Sequence, residues 1–240
     1  MKNKWKRRRL SSSQIIMLGF MGVIALGTML LMLPFARAGA GRAPFLDALF
    51  TATSATCVTG LITQDTATYW SVFGQTVILG LIQIGGLGVV TVAVFITRLS
   101  GRKIGLMQRS TMQEAIAAPQ MGGIIRMTGF ILKMVVVIEG IGALALLPVM
   151  VTEFGIGRGI WYAVFHSISS FCNAGFDLMG IKEPYSSLTS YTGSAVVNGI
   201  VMLLIVVGGI GFLTWDDVKR NRLHLRRYRM QSKVVLAVTC

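Results

Sequence analysis

Residues 50–61 read Phe50-Thr51-Ala52-Thr53-Ser54-Ala55-Thr56-Cys57-Val58-Thr59-Gly60-Leu61. At an offset of 115 positions, Cys57 to Cys172, the chain reads Phe165-His166-Ser167-Ile168-Ser169-Ser170-Phe171-Cys172-Asn173-Ala174-Gly175-Phe176. Phe, Ser, Cys and Gly recur in register. Each copy lies between long apolar segments and is too short, and too rich in small polar residues, to cross about 30 Å of hydrocarbon by itself. Both stretches read as re-entrant loops, and the rest of the chain is organised around them.

Of the 240 residues 53% are hydrophobic and 13% charged, against a charged share of about 25% in soluble domains. The composition is that of an all-α integral membrane protein. A formal charge of +14 invites a nucleic-acid reading, but a basic nucleic-acid module does not also carry uncharged runs of spanning length. No nucleic-acid partner is expected. Three cysteines, two of them at matching repeat positions, do not make a disulfide framework. Lys2, Lys4, Lys6, Arg7, Arg8 and Arg9 precede an apolar run, as in a signal peptide. That run, residues 15–33, exceeds the core of about 7–15 residues such a peptide has, and Pro34-Phe35-Ala36-Arg37 is a poor cleavage site.

In chain order, residues 15–36 are a first span ending near Pro34. Residues 43–56 are a short helix with Pro44 in its first turn and Asp47 at its positive dipole end. Residues 61–69 return as a polar segment, with Tyr69 and Trp70 expected in an interfacial aromatic belt. Residues 71–97 are a second span. Met107 to Ala118 is a candidate surface helix. Residues 129–151, ending at Pro148, are a third span, 159–171 a second short helix and 194–215 a fourth span. The glycines Gly85, Gly86 and Gly88 answer Gly208, Gly209 and Gly211 at an offset of 123, so a loop has lengthened by eight while the landmarks persist. These clusters lack the G-x-G-x-x-G order of a nucleotide site and read as close packing against a re-entrant loop or as hinges.

Basic residues number 6 in the amino-terminal segment, 5 from Arg98 to Arg126 and 7 from Lys219 to Lys233, which is 18 of the 23. The positive-inside rule puts all three segments, and the N-terminus, in the cytoplasm. The organisation expected is a basic cytoplasmic N-terminus (1–14), a first helix–loop–helix repeat (15–97), a connector (98–123), a second repeat (124–215), a basic cytoplasmic loop (216–233) and the start of a third repeat (234–240). The two repeats are parallel, unlike the inverted repeats common in secondary transporters.

Irregular backbone at membrane depth is tolerable where it is buried in protein or lines a watery cavity. Carbonyls held in such a segment can replace the water of a passing ion. Thr56, Cys57, Val58, Thr59 and Gly60, with Cys172, Asn173, Ala174 and Gly175, fit that demand, and the short helices turn their negative dipole ends towards a cation. The Phe50-to-Leu61 stretch, Asn173-Ala174-Gly175-Phe176, Gly85-Gly86-Leu87-Gly88 and Gly101-Arg102-Lys103-Ile104-Gly105 resemble the Trk/Ktr/HKT superfamily of potassium transporters, most closely the Ktr-type bacterial membrane subunit.

The resemblance implies four helix–pore loop–helix repeats of potassium-channel-like architecture. Val58-Thr59-Gly60 and Asn173-Ala174-Gly175 would then be two quarters of a selectivity filter, with Gly60 favouring potassium over sodium. It also implies a homodimer in the lipid bilayer of the cell membrane, seated on a cytosolic ring of nucleotide-binding regulatory subunits. Potassium is then the substrate held by filter carbonyls, with no cofactor in this chain. Only two repeats are present, so the chain is read as the N-terminal half of a longer protein, or as one of two copies that complete a pore. A sodium or mixed-cation transporter and a non-conducting scaffold are the rival functions.

Several residues carry two readings. Thr56 and Thr59 cap local backbone or face the ion. Cys57 and Cys172 read as packing residues behind the filter rather than metal ligands. Glu139 reads as bonded to re-entrant-loop backbone or as tuning the pore. Lys133 is expected to snorkel, His166 to serve packing and hydrogen bonding, and Asp216, Asp217 and His224 to lie in a solvated loop. Catalysis is not expected, since Lys133 and Glu139 stand six positions apart, off one helix face.

Overall fold

The computed structural model describes residues 11–88, 91–92, 124–221, 224 and 227–239. The amino-terminal basic cluster, the whole connector (98–123) with Gly101 to Gly105, and the helix expected over Met107 to Ala118 lie outside the described residues. Among those described, all regular structure is helical.

Helix α1 (Ser12–Leu31) starts earlier than the apolar run alone suggests, because Ser11 and Gln14 form a reciprocal capping box. It also stops earlier. Leu33 is extended ahead of Pro34, and Pro34–Ala36 forms a separate 3₁₀ turn. Helix α2 (Phe45–Thr56) is the first short helix, with Asp47 in its first turn accepting from Gln64 at 3.2 Å. Its buried face is small, Ala48, Thr51, Ala52, Ser54, Ala55 and Thr56, which lets neighbouring backbones approach closely.

The return segment carries α3 (Thr66–Tyr69), capped by Asp65. Ala38 N–H donates to Tyr69 O and Ser71 N–H to Ala36 O, both at 2.9 Å, clamping both ends of the loop around Arg37 and Trp70. Trp70 is therefore 1% exposed, inside the protein and not in an aromatic belt; its flanking backbone is tied down before its ring can turn outward. Tyr69 stays half-buried under the Arg37 guanidinium, 5.0 Å away.

Helix α4 (Val72–Leu87) ends at Gly88, where φ is +80°, short of the span expected to residue 97; residues 93–97 lie outside the description. Helix α5 (Ile124–Phe171) corrects two expectations. Pro148 sits inside it without ending it, and the third span and the second short helix are two helices that meet at Gly155 with no longer linker between them. The Thr152 hydroxyl donates to the carbonyls of Pro148 and Val149 at 2.9 Å, so the turn carries on where proline removes an amide donor. The reversal falls on one residue, Gly155, at φ +77° and ψ +170°, a conformation open to glycine.

Helix α6 (Ala195–Gly209) meets α7 (Phe212–Asn221) at 89°, so the stretch expected as one fourth span is bent. Helix α8 is Met230–Thr239. Asp216 and Asp217 are not solvated: both are buried on α7. Arg220 pairs with Asp216 at 2.9 Å and Arg229 lies 3.5 Å from each aspartate, while the Ser232 hydroxyl donates to Asp217 at 2.6 Å. His224 is exposed. Among the described residues two helices, Ser13–Leu31 and Thr128–Phe171, are long and apolar enough to cross a membrane, and the bent α6–α7 pair makes a third if counted as one span. One core of Leu31, Ala52, Ile78, Leu146, Phe165 and Met179 draws on both halves of the chain.

Candidate functional site

The two re-entrant stretches end their helices in the same way, bond for bond. In the first, Cys57 N–H donates to Thr53 O at 2.8 Å, Val58 N–H to Ala55 O at 3.3 Å and Thr59 N–H to Ser54 O at 2.9 Å. In the second, Cys172 donates to Ile168 O at 2.9 Å, Asn173 to Ser170 O at 3.0 Å and Ala174 to Ser169 O at 2.8 Å. This pair of nested bonds is a Schellman closure, which requires a left-handed residue one past the cap. Val58 and Asn173 occupy it, each at φ 57°. Asparagine tolerates that region, whereas a β-branched valine there is a marked outlier, held by the surrounding packing.

Gly60 at φ 75° and Gly175 at φ 74° follow, and the two loops meet at them. A Cβ on Gly60 would lie 2.6 Å from Ala174 O and 3.1 Å from Gly175 Cα, and one on Gly175 would lie 3.2 Å from Gly60 Cα. The structure thus brings the two ends of the expected filter together across 115 residues of sequence. Ser54 and Ser169, equivalent residues, differ in partner. Ser54 shares a 2.8 Å hydrogen bond with the Thr59 hydroxyl, whereas Ser169 reaches Phe176 O at 2.5 Å, because Ala174 offers no hydroxyl at the matching place. Thr59 therefore bonds within its own loop. The Thr56 hydroxyl is buried without a partner.

The glycine clusters pack against these loops, again in register. A Cβ on Gly85 would overlap Thr56 O, and one on Gly208 would overlap Phe171 O; Gly86 faces the Cys172 side chain, its Cβ 2.5 Å from Sγ. Gly209 has only Asn173 Nδ2, at 4.0 Å. Gly88 and Gly211, at φ 80° and 86°, break α4 and α6. A cavity of about 240 Å³ lies between these breaks, lined by Leu87, Gly88, Thr91, Gly211, Thr214 and Gln231 among others. Asn173 Nδ2 also donates to Ile205 O at 3.3 Å, tying the second loop to α6.

Glu139 is buried behind the second loop, but its side chain does not bond loop backbone. Both oxygens accept from Gln83 Nε2, at 3.0 and 3.2 Å, and Cys172 Sγ lies 4.0 Å from Oε1. Glu139 instead gives its main-chain carbonyl to the Ser167 hydroxyl at 2.7 Å. A Cβ on Gly142 would fall 2.5 Å from that hydroxyl, so the helix is already as close as its backbone allows. Lys133 is exposed. His166, 2% exposed, bonds Tyr162 O and Leu178 N.

Gln83 and Ser167 escaped the sequence reading. A signal was present: Gln75 and Gln83 are the two amides of an otherwise apolar α4, and a polar side chain in such a helix takes a partner. Gln75 takes three carbonyls of the return segment and the Trp161 indole, the latter at 2.8 Å.

The fold and these loops define an α-helical protein with helices long and apolar enough to cross a membrane and two irregular loops between them, in which Ala174 is buried while Cys57, Thr59, Asn173 and Gly175 are exposed. Residues 3–237 match the TrkH family, described as cation transport protein, and the chain belongs to that family. It is 43% identical over 233 residues to the potassium/sodium uptake protein NtpJ of Enterococcus hirae, covering 97% of this chain and 50% of that protein. It is 42% identical over 236 residues to the Ktr system potassium uptake protein B of Bacillus subtilis, covering 98% and 51%. Against the protein of the same description from Vibrio alginolyticus it is 35% identical over 228 residues, covering 94% and 48%. The chain spans about half the length of these curated relatives. Their family is one of transporters rather than enzymes.

Proposed function

We propose that this chain is ion-translocating machinery for potassium uptake, and that Val58-Thr59-Gly60 and Asn173-Ala174-Gly175 supply two quarters of a selectivity filter through their carbonyls. The observation that carries this reading is the meeting of two identically closed helix ends at Gly60 and Gly175. Two Schellman closures turn extended backbone away from helix C-termini at one place, and a cation is the species that negative dipole ends and carbonyl oxygens stabilise together. On this reading the chain forms two parallel pore-loop repeats in the cell membrane, its N-terminus and basic segments cytoplasmic. Gly85, Gly86 and Gly208 set the loops' depth, while Gly88, Gly209 and Gly211 stand at the helix breaks. Homodimerisation and a nucleotide-binding cytosolic ring rest on the family resemblance. A mixed potassium and sodium substrate is the second reading, favoured by the printed description of the Enterococcus relative.

The test is potassium-limited growth of an uptake-deficient bacterium. The 240-residue chain is expressed beside a version extended through any downstream reading frame, each with and without Gly60→Ser. Rescue that Gly60→Ser abolishes, or that it converts to sodium-sensitive uptake, is the expected result. Unchanged uptake and ion preference in Gly60→Ser would remove the filter assignment.

A further inference from the structure

Glu139 lies where a carboxylate is least expected. It is 7% exposed within a membrane-length helix, and it stands beside Cys172, the residue at the C-terminal end of the second short helix. A helix C-terminus is itself a partial negative charge and disfavours a neighbouring anion. An intramembrane carboxylate ordinarily pairs with a cation or a strong donor set. Among the described residues every ion pair lies elsewhere, on Glu153, Asp216 and Asp217. What faces the Glu139 carboxylate among the described residues is one amide nitrogen shared by both oxygens and one thiol. The Gln83 amide is turned so that its nitrogen meets the acid while its own Oε1 stays buried without a donor. Both carboxylate oxygens serve as acceptors here, the role that an ionised carboxylate fills at each of its two oxygens.

We infer that Glu139 is the fixed negative charge behind the second filter segment, and that the cation held at Asn173-Ala174-Gly175 is its countercharge. Glu139 is a positioning residue: it does not touch the ion, and it raises cation occupancy through low-dielectric protein. The inference rests on the filter reading above. Gln83 holds the carboxylate in place, and Ser167 ties the same turn of α5 to the short helix that ends at the filter.

The experiment is potassium uptake by the complete transporter in proteoliposomes, measured against potassium concentration for wild type, Glu139→Gln and Glu139→Asp. The charge role predicts that Glu139→Gln raises the half-saturating concentration about tenfold, with the maximal rate per folded protein changed by no more than about twofold, and that Glu139→Asp restores most of the affinity. A half-saturating concentration equal to wild type in Glu139→Gln overturns the inference, as does an equal fall in maximal rate in both variants at unchanged half-saturation. Should Glu139→Gln not accumulate, Gln83→Lys neutralises the carboxylate in place and must give the same rise; an unchanged value there overturns the inference too. Gly175→Ser separates the two levels. Altered ion preference in Gly175→Ser beside wild-type behaviour in Glu139→Gln sinks the charge role alone, whereas unaltered preference in Gly175→Ser sinks the filter reading with it.

Discussion

His166 shows how a single polar residue is used inside this apolar core. Its Nε2 accepts the Leu178 amide at 3.2 Å, so that nitrogen carries no proton; Nδ1 carries it and donates to Tyr162 O at 2.7 Å. The ring joins the second short helix to the start of the return segment and is saturated by backbone. His166→Leu leaves the Leu178 N–H buried and unpaired, which costs about 1–3 kcal/mol. It is expected to lower the thermal unfolding midpoint of the purified protein, with His166→Gln, which keeps an acceptor, losing less. This role was legible from sequence, because a neutral polar ring in an apolar helix is satisfied by nearby carbonyls. The partner of Glu139 was not. Gln83 is 56 positions away, and no local periodicity says which face of α4 meets which face of α5.

Among elements, helix boundaries divide into those set by one residue type and those set by packing. Asp65, Ser71 and Ser194 cap the helices that follow them, as their side chains dictate. Pro148 was expected to end a helix and does not, since the Thr152 hydroxyl bonds the carbonyls on its turn and Gly155 four residues beyond Val151 takes the reversal instead. The Gly208–Gly211 cluster reads in sequence as hinge or packing; the structure divides those tasks among its members. Gly208 is packed against Phe171 O, and Gly211 makes the bend. Gly211→Ala forces a side chain into the left-handed region at about 1–2 kcal/mol. Gly209→Ala, helical and with nothing nearer than 4.0 Å, gains up to about 1 kcal/mol of helix propensity. Thermal unfolding of the two variants side by side is expected to move in opposite directions, although the residues are two apart.

At the scale of the whole molecule, the two halves are joined on the return-segment side, where Asp65 meets Tyr185, and at the re-entrant loops, where the repeat foreshadowed it. There the loops meet at Gly60 and Gly175. Beyond α6, the aspartates of α7 hold Arg229 and Ser232 at the start of α8, a contact local to the end of the chain. On the return-segment side the second half is first tied to itself: Glu153 accepts from Tyr191 and pairs with Lys182, whose ammonium lies 4.3 Å from the Tyr191 ring. Burial and the Glu153 carboxylate push the Tyr191 phenol well above its ordinary range, so it remains the donor.

Asp65 completes that side. It caps α3 through Ala67 N–H and Thr68 N–H, at 3.0 and 2.9 Å, and takes the Thr68 hydroxyl at 2.8 Å. Its second oxygen accepts Tyr185 N–H of the other half at 3.0 Å. Gly180 presses so close that a Cβ there would overlap the carboxylate. Tyr185 itself is left-handed, at φ 62°, a cost met by this contact. Asp65→Ala removes a cap worth about 1 kcal/mol and also strands the Tyr185 amide, for a combined loss of about 2–4 kcal/mol. Asp65→Asn keeps an acceptor for α3 and loses the charge-assisted part. Because one residue serves both halves, Asp65→Ala is expected to raise proteolysis in residues 177–194 as well as in residues 61–70. Cleavage confined to 61–70 would show that the cap alone matters and that the two return segments hold their shapes independently.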